Sequence, residues 1–526
     1  MGRHLSATLK RAEEPLALGL VGVMLIVAAL LPFVFLVVGL VRAPAELSAG
    51  IALLGSREPW VVFLRAVASA FVVALASLLI GIPLGVLLAW TDVRGRKTAL
   101  ILHAFPMFLP PFLLALGWFF LFGKSGLWGS EQSSGALFSV GGSVAVEALV
   151  FAPVVTSLVA LALQGIDPSL VEAARVAARP GRVATRILLP LAWPAAALGG
   201  LVVFALSLSE LGVPMFLRVR AYTAVVFARL SAVQYAPGEA LVLTLPMLIV
   251  SLALLAIERR VIGPRSFAVL GLRLGEATVL PLGNWRSLGT IVAWAGALAT
   301  LVPLVGLAWR ARTGIAALQD WIGSGLQNSI VPAAIAATLL TGIAVVLGRA
   351  IALRRPGAAA LDALTVLAFV TPAAVLGVGL IGAWNRPATQ SIYGTLAIIV
   401  IGFVARYAVL PTRTFAIAVA HASPHLEESA RVQGAWFFRR LLRIVVPLHG
   451  RAITAAWLLA FVFCLRDLET TILFYPAGSA PLTVRIITLE ANGPEPVVAA
   501  LALVHVFVVA SVLVVGALAL RPRKPA

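Results

Sequence analysis

Two carboxylates carry the chemistry this sequence is best placed to perform. Glu210 and Asp467 lie within apolar runs, each 20 residues after a proline (Pro190, Pro447) and each just before a leucine (Leu211, Leu468). A charge in an apolar run is expensive in a bilayer and faces a bundle interior or a water-filled path. Such a pair can flank a gate, meet the neighbouring Arg466, attract a cation, or reach outer water from the interface. Arg406, near the middle of another apolar run, needs a partner inside the bundle for the same reason. Enzymatic patterns fail on spacing. Gly123-Lys124-Ser125 imitates the end of a phosphate-binding loop, but five residues separate it from Gly117 where that loop has four. His421 and His425 have the separation of two ligands on one helical face, yet Pro424 interrupts that helix and no third ligand is spaced to join them. No nucleophile–base set appears. The single cysteine, Cys464, lies in an apolar run, so neither a disulfide framework nor a cysteine metal site is available.

The elements that must hold these charges are membrane helices. The 526 residues are 61% hydrophobic and only 12% charged, with mean hydropathy +1.05; a soluble chain has about twice that charged fraction. Twelve apolar runs are long enough to cross a bilayer: roughly 17–41, 61–90, 98–123, 143–165, 187–212, 238–256, 287–309, 328–352, 359–384, 391–412, 447–473 and 497–520. The net charge of +19 does not mark a nucleic-acid binder, because the basic residues are spread over short connections between runs. Placing the N-terminus inside puts about 26 of the 40 basic residues in inside segments and about 10 outside, so both termini are expected to be cytoplasmic. The basic start, Met1 to Glu14, has no small-residue cleavage site after the first run, which therefore reads as a retained span or an uncleaved signal anchor. The longest inside link, Glu258 to Arg286, divides the chain into residues 1–257, a linker 258–286, and residues 287–526.

The second half repeats the first in its polar landmarks. Leu170-Val171-Glu172-Ala173-Ala174-Arg175-Val176 reads against Leu426-Glu427-Glu428-Ser429-Ala430-Arg431-Val432, and Ile187-Leu188-Leu189-Pro190 against Ile444-Val445-Val446-Pro447. Thr223 to Leu230 parallels Thr483 to Glu490. Six spans per copy is an even number, so both copies cross in the same direction. The expected fold is all-α and polytopic, about twelve transmembrane helices in two parallel six-helix repeats, with a pathway between them.

Between the fourth and fifth spans of each copy lies an amphipathic loop, residues 168–190 and 424–447. Glu427 and Glu428 suit a helix N-terminus that follows Pro424, and Gly434 permits a sharp turn. The spacing Glu428, Ala430, Gly434, Ile444, Pro447 resembles the EAA loop of ABC importer permeases of the binding-protein-dependent type. Glu172, Ala173, Ala174 and Pro190 carry the same signature, with Ala178 in place of the family's glycine and Pro180-Gly181 as the alternative turn.

That resemblance implies a type I importer permease whose two loops are coupling helices docked on a separate ATPase, a helix-in-groove contact. Two copies of a cytoplasmic ABC ATPase would hold the ATP and magnesium; no cofactor would be bound by this chain, which would not itself be an enzyme. A periplasmic binding protein would dock on outer segments 213–238 and 475–496, where Arg229 and Arg485 are candidates. Localisation would be the bacterial inner membrane. The fused halves and the stretch Arg466-Asp467-Leu468-Glu469-Thr470-Thr471 look most like ferric-iron and thiamine permeases; polyamines, aminoalkylphosphonates and inorganic anions are the other expected cargoes. The rival of another class, an ion-gradient-driven secondary transporter, predicts transport by the chain alone.

Overall fold

The structure, a computed structural model, describes residues 2–42, 44–166, 168–178, 180–230, 236–262, 280–422 and 425–521, with no β-strand among them. Pro424, Arg179 and most of the central linker lie outside the described residues.

Among the described residues seven helices are long and apolar enough to cross a membrane, and counting each of five bent pairs as one span brings the number to twelve. In chain order these are α1 (Glu13–Gly39), α2 (Arg57–Trp90), α3 (Arg96–Phe108 with Pro111–Phe122), α4 (Val140–Gln164), α5 (Gly181–Ser209) and α6 (Pro237–Arg260). The second set is α7 (Gly283–Ala299 with Val302–Ala311), α8 (Gly325–Ala352), α9 (Ala358–Val370 with Ala373–Trp384), α10 (Pro387–Tyr393 with Ala397–Tyr407), α11 (Phe437–Leu448 with Gly450–Arg466) and α12 (Glu495–Ala519). The chain is a multi-span membrane protein.

The sequence runs 98–123 and 359–384 do not cross straight. α3 turns by 103° and α9 by 110°. The cause is local: Leu109 and Pro110 before Pro111, and Thr371 before Pro372, adopt extended backbone, the conformation a following proline imposes. α10 and α11 each bend by 82°, α11 at His449-Gly450.

Prolines leave a second signature. The turns before Pro32, Pro190 and Pro447 are widened π turns, Ile26–Leu30, Ala184–Leu188 and Leu441–Val445, each closed by the N–H of the residue just before the proline. A proline cannot donate and its ring crowds the carbonyl four residues back; widening the turn relieves that clash. The two loop-to-span junctions therefore share one backbone form.

Within each half the second, fourth and fifth spans pack on one another, α2 with α4 and α5, and α8 with α11 and the helix Val409–His421 that continues α10. The first span of each half goes elsewhere. Leu31–Arg42, which completes α1, packs on Ala373–Trp384 of α9, and Val302–Ala311 of α7 packs on Pro111–Phe122 of α3. A boundary drawn at the linker thus separates the copies in sequence while their first spans are exchanged in space. Arg413 further ties the halves, pairing with Glu258 of α6 at 2.8 Å and Asp362 of α9 at 3.2 Å.

Candidate functional site

Glu210 and Asp467 end α5 and α11 in the same way. Each is the residue on which the helix stops, with extended backbone, and its own N–H bonds the carbonyl three residues back (Ser207, Cys464). Each side chain then accepts the N–H three residues on, Val213 to Glu210 at 3.1 Å and Thr470 to Asp467 at 3.1 Å. Each main-chain carbonyl accepts a hydroxyl from the paralleled outer segment, Thr223 at 3.3 Å and Thr483 at 3.1 Å. The repeat legible in sequence is therefore a repeated hydrogen-bonding device.

The copies differ beyond that device. Asp467 is saturated: it also accepts from Thr471 N–H, from the Thr470 and Thr471 hydroxyls, and from the Tyr407 hydroxyl at 2.5 Å. Glu210 Oε2 is buried without a hydrogen-bond partner among the described residues. Both carboxylates line one pocket with Arg406, Tyr407, Arg466 and Glu469.

Arg406, only 2% exposed, is the hub. It pairs with Glu469 at 2.6 Å, approaches Asp467 at 3.9 Å, and donates to the Thr470 and Ser209 hydroxyls at 3.0 Å each. Ser209 belongs to the first half and also accepts the Ala373 N–H at 3.0 Å, so this guanidinium joins the two copies. Arg466, in the same pocket lining, forms no ion pair with a described carboxylate; it donates to the Met107 carbonyl and lies over the Phe463 ring.

Three contributors were not singled out in the sequence. Glu469 and Tyr407 flank residues that were, and carry no repeat partner to flag them. Glu147, 4% exposed, accepts from Ser207 at 2.5 Å and Ser143 at 3.2 Å, and lines with Glu210 a crevice that reaches Arg65 and Arg220. Setting Pro153 of α4 against Pro411 places Glu147 one residue before the position matching Arg406. An apolar run broken by a lone Glu was the signal.

The loops fold as short helices, Pro168–Ala177 and His425–Val432. Glu172, Ala173 and Glu428 are exposed, Ala174 and Ala430 half-buried. Gly434, at φ +80°, closes the second helix, with its N–H and that of Ala435 reaching back to Arg431 and Ala430. The first loop turns differently. Gly181 is not the turn; Pro180 opens a helix that contains Gly181, since proline fits a first helical position. Ile444 is half-buried, and Pro190 and Pro447 are exposed at their π junctions. Inward-facing anchors differ too: Val171 is fully buried, whereas its counterpart Glu427 pairs with Arg349 and, at 3.4 Å, with Arg440. Toward solvent the helices match. Leu170 and Val176 are 48% and 92% exposed, Leu426 and Val432 61% and 85%.

Residues 81–265 match the family described as binding-protein-dependent transport system inner membrane component. The chain carries a binding-protein-dependent permease domain. That matched region contains the first loop helix and Glu210. The chain is 27% identical over 423 residues to a putative ferric transport system permease protein FbpB 1 of Haemophilus influenzae, covering 74% of this chain and 67% of that protein. It is 27% identical over 443 residues to the ferric transport system permease protein FbpB of Actinobacillus pleuropneumoniae, covering 77% of this chain and 63% of that one. A putative 2-aminoethylphosphonate transport system permease protein of Salmonella choleraesuis is 31% identical over 160 residues, 28% of this chain and 55% of the relative. The chain thus spans about two thirds of the length of the two ferric relatives. No solved structure matches it.

The remaining candidates are engaged. Arg229 pairs with Glu239 at 3.1 Å, and Arg485 donates to the Trp321 carbonyl at 2.5 Å.

Proposed function

We propose that this permease is the membrane subunit of an ATP-driven importer, that its two loop helices are gripped by two separate cytoplasmic ATPase subunits, and that iron(III) delivered by a periplasmic binding protein is the cargo. One observation carries this reading: each short, polar helix outside the spans presents a leucine and a valine to solvent, Leu170/Val176 and Leu426/Val432, at matched positions of the repeat. Large apolar side chains left open at matched places are what a helix-in-groove partner covers. Glu172 and Glu428 lie on the same helices as the polar rim. The ferric names of the relatives support the cargo, and the exchanged first spans support rocking of the halves as one mechanical unit. Glu210 and Asp467 then stand beside the path, with the binding protein meeting the outer segments that hold Arg229 and Arg485. Both termini and both loops face the cytoplasm in this scheme.

Changing Glu172 and Glu428 together to lysine is expected to abolish co-purification of the ATPase and ATP-dependent iron(III) uptake in proteoliposomes, while leaving the permease folded. Full retention of the ATPase by the doubly changed chain overturns the docking assignment. Uptake by the chain alone, driven by an ion gradient, would make it a secondary transporter.

A further inference from the structure

The repeat supplies an internal reference for a groove that only one copy leaves open. Gly95 and Gly357 are equivalent: both are left-handed, at φ +69° and +80°, and both immediately precede the first helix of a bent span. In the first half this site is filled. The Trp294 ring of α7 lies on Gly95, where an added Cβ would come within 2.9 Å of it, and its Nε1 donates to the Arg94 carbonyl at 2.9 Å. Pro303 against Gly117 and Pro32 against Gly379 are the same contact in the two copies. In sequence Val23 is the counterpart of Trp294, nine residues before its proline, and it lines the same groove as Gly357. Val23 is 58% exposed, and an added Cβ on Gly357 or Gly19 meets no described atom. The result is an apolar groove between α1, α8 and α9, lined by Leu18, Gly22, Val23 and Leu361 among others.

Its basic end differs in the same direction. Arg349 and Arg355, eight and two residues before Gly357, occupy the places of Leu87 and Val93 before Gly95. Both reach Glu14 at 2.8 Å, and Arg355 stays 36% exposed. The adjoining polar cavity adds Arg431, Arg440, Glu427 and Glu428. Four arginines against Glu14, Glu427 and Glu428 leave one positive charge in excess. Arg94, Arg96 and Lys97 flank Gly95 in the filled copy as well, so the difference is one of placement: Arg349 and Arg355 line the open groove at two positions that are apolar in the other half.

We propose that the groove binds an anionic phospholipid, one acyl chain taking the place that Trp294 fills in the other half and the phosphodiester lying on Arg355 and Arg431. An apolar slot within a span that ends on arginines matches that amphiphile in both shape and charge. A monoanionic phosphodiester balances the one excess charge. The inference does not depend on the proposed transport reaction, since it uses only the spans and the repeat.

Native mass spectrometry of the full-length chain in detergent, titrated with phosphatidylglycerol, phosphatidylcholine or inorganic phosphate, tests it. Phosphatidylglycerol is expected to remain as a single tight adduct and phosphatidylcholine to be lost. An arginine near a membrane surface contributes about 1 kcal/mol toward an anionic lipid, so Arg355→Gln is expected to weaken retention about fivefold. Val23→Trp, which restores the first-half filler, is expected to remove the adduct without lowering the melting temperature; that variant keeps the test meaningful should loss of Arg355 disturb Glu14. Equal retention of the two lipids, or unchanged retention in both variants, overturns the proposal. Displacement of the lipid by inorganic phosphate alone also overturns it, because the acyl groove would then contribute nothing.

Discussion

Arg406→Leu is expected to destabilise the protein by about 3–5 kcal/mol, the range for removing one partner of a buried ion pair. The reason lies in what would be left behind. Glu469, paired at 2.6 Å, would lose its cation in a buried pocket, and the Ser209 and Thr470 hydroxyls would each lose a donor. Asp467 would suffer less, because Thr470, Thr471 and Tyr407 already supply its donors. The melting midpoint of the purified chain in detergent measures the effect. Adding Glu469→Leu is expected to recover much of the loss, since an apolar pair in place of a buried ion pair is often neutral. Arg406→Lys retains the charge but cannot fork to Glu469, Thr470 and Ser209 together, so it is expected to fall between the two. An Arg406→Leu chain that melts with the unaltered protein would show that this hub does not hold the halves together.

What the sequence disclosed and what it concealed divide along physical lines. Spans were legible because twelve apolar runs need only length and composition, and the two halves because polar residues repeat at fixed spacing. Even the hydrogen-bonding device at Glu210 and Asp467 was foreshadowed, through Thr223 and Thr483. Direction was not legible. Hydropathy counts apolar residues without regard to turns, so 98–123 read as one crossing although the chain swings by 103° within it. Proline alone does not mark such breaks: Pro83, Pro153, Pro246 and Pro332 lie inside continuous helices. At Leu109-Pro110-Pro111 and Thr371-Pro372 the residue before the proline is extended, a difference from the prolines inside continuous helices that the residue pattern does not announce. The partners of Arg406 were also hidden, since Ser209 lies 197 positions away in the other copy. Exchange of the first spans leaves no trace in local pattern at all.

That exchange rests on glycine, and its removal is the second large effect expected. Gly117 lies so close to Pro303 of α7 that a Cβ would collide with the Pro303 carbonyl, and a Cβ on Gly379 would come within 2.6 Å of the Pro32 carbonyl. Backbone atoms cannot swing aside as a side chain can, so alanine at either position must push a whole helix outward. Overpacking of this kind costs about 1–3 kcal/mol per site. The two contacts lie in different helix pairs, so their effects are expected to add. Gly342→Ala is the control: it sits in helix α8 with open space around it, where alanine favours the helix by up to about 1 kcal/mol. Melting midpoints of the single and double variants read this directly, and a double variant as stable as the Gly342→Ala control would remove glycine from the account of the crossing. Transport provides a second readout. If the chain works as the proposed importer, each half grips the first span of the other and neither rocks without drawing its partner along; loosening either contact is then expected to lower ATP-driven uptake more than it lowers binding of the proposed ATPase.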